Sequence, residues 1–161
     1  MEILTCDKSL IKKTSEFARE VFIDYYIPRI GEDQSYYMAD KFLSEEKISE
    51  LIEAGAIFKL LEEDGQFLGF TEYLKEDDKV FLSKLYVRKD LRGKGLGRIL
   101  FEQCVDYAKE NDIHTIYLTV NKYNTPSYET YLHLGFVVTD SVVSDIGQGF
   151  VMDDYIMEYY L

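Results

Sequence analysis

The segment Leu85–Arg98, LYVRKDLRGKGLGR, constrains the fold more than any other part of the chain. An apolar strand ends at Val87, a short charged loop follows, and a helix then opens through Gly93, Lys94, Gly95, Leu96 and Gly97. Without a Cβ, the three glycines let the backbone approach a ligand closely and turn its N–H groups outward. Those groups open a helix whose N-terminus carries partial positive charge, which favours a phosphate or pyrophosphate. Arg92, Lys94 and Arg98 add full charges around the same spot. The segment reads as an anion cradle suited to the diphosphate of a cofactor. It lacks the four-residue glycine spacing and Lys-Ser/Thr of a nucleoside-triphosphate loop. It also fails the dinucleotide fingerprint, because Arg98 stands where the third glycine would be.

Charge is divided unevenly. Residues 84–98 hold six cations (Lys84, Arg88, Lys89, Arg92, Lys94, Arg98) against Asp90 alone, a local +5 within a chain of net charge -12. From Tyr123 to Leu161 there is no Lys or Arg, while Glu129, Asp140, Asp145, Asp153, Asp154 and Glu158 are present. One pole suits an anionic cofactor and the other a cationic substrate. The acidic balance argues against nucleic acid as a partner. Cys6 and Cys104 have neither CxxC nor metal-ligand spacing, and no His/Cys/Asp/Glu cluster predicts a metal site. No signal or membrane-spanning run stands out, so a reduced, cytoplasmic setting and no membrane partner are expected. The length suits a single domain over residues 1–161.

Hydrophobic periodicity predicts alternating strands and helices. Residues 2–5 read as a strand. Leu10, Ile11, Thr14, Phe17, Ala18, Val21 and Phe22 follow at helical spacing, capped by Asp7 or Ser9. Residues 23–40 read as irregular, broken by Pro28 and Gly31. A helix over Ser44–Ala54 closes at Gly55. Three strands, Ala56–Glu62, Phe67–Leu74 and Lys79–Val87, are joined by short acidic turns and imply an antiparallel meander. A helix near 97–110, a strand over Thr115–Val120 and a helix from Thr125-Pro126 to Gly135 come next. Two strands near Phe136–Val143 and Phe150–Tyr159 close the chain through Gly147 and Gly149. The expected class is α/β in the mixed α+β sense.

The loop motif Arg92-x-x-Gly95-x-Gly97, between a strand and a helix, resembles the acyl-CoA pyrophosphate loop of the GNAT superfamily of N-acetyltransferases. About thirty residues later, Asn124-x-x-Ser127-x-x-x-Tyr131-x-x-x-Gly135-Phe136 resembles a second family motif, with Ser127 replacing the common alanine. Asn121–Asn124 and Met152–Glu158 look like the bacterial spermidine/spermine-type branch. The resemblance implies the GNAT fold, a central mixed sheet of about seven strands flanked by about four helices. It also implies an acetyl-CoA-dependent N-acetyltransferase acting directly on the amine of a small cationic acceptor, such as a polyamine. Protein or peptide acetylation and a non-catalytic acyl-CoA-binding sensor are the rival functions.

Site residues follow by position. A phenol can protonate a departing thiolate, and in the family that acid is the second motif's tyrosine, here Tyr131. Leu85, Tyr86 and Val87 match the strand whose backbone pairs with the pantetheine amides. The cradle comprises Arg92, Gly93, Lys94, Gly95, Leu96, Gly97 and Arg98, and Asn124 and Ser127 complete the cofactor set. Many members use a strand carboxylate as base. Glu72 is the first choice, with Asp153 and Asp154 as alternatives that alternate across one strand, so at most one lines a site. His114 and His133 are set aside, His133 as solvent-facing. The aromatic stretch Tyr25-Tyr26 through Tyr36-Tyr37 reads as core, with an acceptor pocket or a homodimer contact as the alternatives.

Overall fold

The computed structural model describes all of residues 1–161. Its elements are β1 (Glu2–Thr5), α1 (Ile11–Ile30), α2 (Glu32–Phe42), α3 (Glu45–Glu53), β2 (Ile57–Glu63), β3 (Gln66–Glu76), β4 (Lys79–Val87), α4 (Leu96–Glu110), β5 (Thr115–Asn121), α5 (Thr125–Leu134), β6 (Val137–Gly147) and β7 (Phe150–Tyr160). One seven-stranded sheet runs in the order β1-β2-β3-β4-β5-β7-β6. All neighbours are antiparallel except β4 and β5, which α4 joins as a parallel pair. The mixed seven-stranded sheet is as expected; there are five helices rather than four.

The extra helix comes from residues 23–40, which are helical and not irregular. The apolar stripe of α1 does not stop at Phe22: Ala18, Val21, Phe22, Tyr25 and Tyr26 are all buried at consecutive helical spacings. Pro28 deprives the Asp24 carbonyl of a donor, but both residues are exposed, so solvent serves that carbonyl. Gly31, at φ 89°, ends α1 as expected, and α2 begins directly after it. Neither Asp7 nor Ser9 caps α1. Asp7 instead accepts from the Ser9 backbone N–H at 2.9 Å, a local turn ahead of the helix. Ser44 does cap α3, accepting from the Lys47 N–H at 3.1 Å.

Two layers of core flank the sheet. On one side α1, α2 and α3 bury Phe22, Tyr25, Met38, Leu43 and Ile48 against Phe58, Leu60 and Phe70 of β2 and β3. On the other, Phe101, Cys104 and Ala108 of α4 pack on Val80, Leu82, Ile116 and Leu118. Gly69 permits the approach of α4: a Cβ there would lie 2.8 Å from the Tyr86 carbonyl oxygen and 3.1 Å from a Leu100 methyl. No helix is long and apolar enough to cross a membrane.

Candidate active site

The site begins as a defect in the sheet. β4 and β5 pair only at Val80–Ile116 and Phe81–Tyr117. Beyond that the strands diverge, so the β5-facing backbone edge of β4 from Ser83 to Val87 has no strand partner. β3 covers the other edge, with Thr71 opposite Leu85, Phe70 opposite Tyr86 and Gly69 opposite Val87. Two cavities open at this splay, and Tyr86 lines both.

The first cavity, about 360 Å³, is bounded by the end of β4, the start of α4 and one face of α5. It gathers Leu85, Tyr86, Val87, Arg92, Gly93, Gly95, Leu96, Gly97, Arg98, Ser127 and Tyr131, which belong to two stretches well separated in sequence. Lys94 is exposed and does not line it. Gly93 and Gly95 sit at φ 79° and 82°, a left-handed conformation that glycine adopts without strain. Gly95 is the α4 N-cap and has no side chain to satisfy the first N–H groups. Gly97 needs no positive φ, and a Cβ built on it would meet nothing within 4 Å. Internal packing therefore does not require glycine at 97; a ligand lying against the helix N-terminus would. The donor set, the helix dipole and the cations Arg92 and Arg98 fit a diphosphate. Arg88, by contrast, pairs with Asp90 at 2.7 Å in a different groove.

Asn124 is buried behind this cavity. Its Oδ1 caps α5 by accepting from the Ser127 N–H at 3.3 Å and also accepts from the Tyr25 hydroxyl. Tyr25 shares a second bond, 2.9 Å, with the Ser127 hydroxyl, and its ring lies 4.8 Å from the Arg92 guanidinium. One tyrosine of α1 thus ties the cradle loop to the first turn of α5. Tyr131, one helical turn beyond Ser127, packs its ring against Phe136 at 5.7 Å and faces the cavity. Burial, reinforced by Tyr26 and Tyr25 nearby, raises its phenol above the ordinary value, so it keeps its proton at neutral pH.

The second cavity, about 400 Å³, lies on the α1–α3 side of the sheet. Glu72 is in it, 1% exposed and paired with Lys84 at 3.0 Å. Asp154 lines it too, 4% exposed, opposite Asn121 on β5. Asp153 faces away and pairs with Lys122 at 3.0 Å. Desolvation, and then the neighbouring Asp153 charge, raise the Asp154 carboxyl to about 6.

The sequence motifs do not point to Leu91, Pro126, Thr130 and Leu134, which also line the first cavity. Tyr25 and Tyr26 are core residues, as expected, and in addition line the first and second cavities respectively. The helical continuation of the α1 stripe through Pro28 was the available signal for the tyrosines. His133 is exposed, as expected, and also borders the cavity mouth, whereas His114 immediately precedes β5 and lines neither cavity.

Residues 15–136 match the model of the Acetyltransferase (GNAT) family. Streptothricin acetyltransferase of Streptomyces lavendulae is 31% identical over 75 residues, covering 45% of this chain and 40% of that protein. The L-amino acid N-acyltransferase MnaT of Escherichia coli (strain K12) is 38% identical over 55 residues, covering 34% of this chain and 32% of that protein. The matched region thus spans less than half the length of either relative. Among solved structures, the PaiA N-acetyltransferase from Thermoplasma acidophilum in complex with coenzyme A shares the fold over 100% of both chains, with a TM-score of 0.83 at 23% identity.

Proposed function

Since the chain belongs to the Acetyltransferase (GNAT) family, we propose that it transfers an acetyl group from acetyl-CoA directly to the primary amine of a small cationic acceptor. The observation that carries this reading is the first cavity, which brings the glycine cradle and the Tyr131 hydroxyl to the same strand splay. The cofactor supplies an activated acyl thioester. Backbone N–H groups at Gly95–Gly97, with Arg92 and Arg98, bind its diphosphate. The unpaired edge of Leu85, Tyr86 and Val87 takes its amide arm as an added strand would. Asn124 and Ser127 fix the start of α5, and through it the position of Tyr131. Tyr131 donates its hydroxyl proton to the departing sulfur. The burial that holds that proton also raises the basicity of a sulfur beside it, so donation keeps its driving force.

An amine acceptor is supported by the carboxylates of the second cavity and by the acetyl- and acyltransferase activities for which the two relatives are named. A polyamine is the acceptor suggested by the Asn121–Asn124 and Met152–Glu158 motifs. The test is acetyl-CoA-dependent thiol release across polyamines, amino acids, aminoglycosides and short peptides. Turnover of a free amine supports the reading. Turnover of peptides alone redirects it to protein acetylation, and tight CoA binding with no turnover redirects it to a sensor.

A further inference from the structure

We propose that the second cavity receives the acceptor, that Asp154 takes the proton from its ammonium group, and that the acceptor is a monoamine with an apolar body. This rests on the acetyl-transfer reading and its small cationic acceptor, and departs from the polyamine that the two motifs suggest. Phe22, Met38, Phe42, Leu51, Leu74 and Met152 give the cavity an apolar wall. Of its three carboxylates, two are engaged: Glu72 by Lys84 at 3.0 Å, and Glu76 by the Tyr117 hydroxyl. Asp154 alone has no cationic or hydrogen-bonding side-chain partner. Lys47 and Lys84 line the same space. With Glu72 and Lys84 cancelling each other, Asp154 and the exposed Glu76 face Lys47, which leaves one net negative charge. A polyamine would bring several ammonium groups to it, whereas a single ammonium on an apolar body matches both the charge and the wall.

The groups facing Asp154 support its role. Tyr26 comes close from α1, Glu72 and Lys84 of β3 and β4 line the same cavity, Asn121 lies opposite on β5, and the charges of Lys122 and of Asp153, on the other face of β7, also reach it. Burial raises its carboxyl to about 6, so it is ionised at neutral pH yet more basic than an ordinary carboxylate, which suits a base for an ammonium. The ammonium N–H bond breaks and its proton moves to an Asp154 oxygen. The freed lone pair bonds to the thioester carbonyl carbon as the carbon–sulfur bond breaks. Tyr131 protonates the sulfur and recovers the second amine proton. The products are the amide, the free thiol and one proton, which leaves Asp154 for solvent.

The experiment compares phenethylamine with spermidine for the wild-type chain and Asp154→Asn, from pH 5.5 to 9.5, with acetyl-CoA titrations and thermal melts alongside. Phenethylamine is expected to exceed spermidine at least tenfold in kcat/KM. Asp154→Asn is expected to lose about 10²–10⁴-fold in kcat while its KM for acetyl-CoA stays within twofold. The wild-type rate is expected to level off above about pH 7, whereas the variant's climbs about tenfold per pH unit with the free-amine fraction. A spermidine preference overturns the acceptor class, and a wild-type pH profile in Asp154→Asn overturns the base. Acetyl-CoA binding without turnover of any amine overturns the acetyl-transfer reading itself.

Discussion

The hydroxyls of Tyr26 and Tyr86 lie 3.0 Å apart at the boundary between the two cavities. Tyr86 belongs to β4 and lines both spaces, while Tyr26 comes from α1 and lines the second. Burial raises both phenols, Tyr26 to about 12, so both remain neutral and the bond is an ordinary one between hydroxyls. Asn124 Nδ2 donates to Tyr26 at 3.4 Å, which extends the link to α5. The partition between the cavities is therefore hydrogen-bonded from three elements.

Removing either hydroxyl leaves a buried partner underused. Tyr26→Phe and Tyr86→Phe are each expected to lower stability by about 1 kcal/mol. The double variant should fall short of the sum, with a coupling of about 0.5–1 kcal/mol. Urea unfolding of the four proteins measures it, and strict additivity would mean the 3.0 Å contact contributes nothing.

Tyr131 should separate chemistry from folding. Its hydroxyl makes no intramolecular hydrogen bond, and its ring carries the packing on Phe136. Tyr131→Phe is expected to stay within about 0.5 kcal/mol of wild-type stability and to lose about 10²–10⁴-fold in kcat. Acetyl-CoA binding should be nearly unchanged. Steady-state kinetics with calorimetric titration checks this, and undiminished turnover removes Tyr131 from the mechanism.

Gly97 gives a sharper test of the cradle than Gly95. At Gly95 the left-handed φ of 82° would add backbone strain to any effect on binding. At Gly97 a methyl group meets open space. Gly97→Ala should therefore stabilise the fold slightly, by up to about 0.5–1 kcal/mol, while weakening CoA binding about tenfold or more. A more stable variant that binds CoA as well as the wild type would empty the cradle of its role.

The cradle was legible because its chemistry is local: glycine spacing, strand exit and helix start lie within fourteen residues, Leu85–Arg98. Tyr131 and Ser127 were legible for a similar reason, one helix carrying both at fixed spacing. Their meeting with the cradle was not local, because it depends on where β4 and β5 part. The second cavity was harder still. Glu72, Lys84 and Asp154 come from three strands, and only the register shows Lys84 opposite Glu72. Pro28 hid the Tyr25-Tyr26 contribution, since a proline in a helix's exposed last turn breaks less than the same residue in its interior.

Asp154 should reveal its burial through stability as well as rate. Its folded-state value of about 6 lies above the ordinary 3.8. A carboxyl raised on folding contributes stability that is fully present below the unfolded value and is lost as pH rises through the folded one. Ionised Asp154 therefore weighs against the fold above about pH 6, by about 2 kcal/mol once residual solvation is allowed for. Asp154→Asn keeps the shape and removes the charge. Relative to wild type, its melting temperature should be higher at pH 8 by several degrees, and the advantage should vanish by pH 4. Thermal melts at the two pH values decide it. A variant that is less stable at pH 8 would mean the carboxylate is held by favourable contacts, and with that the free base proposed for the acceptor's ammonium would be gone.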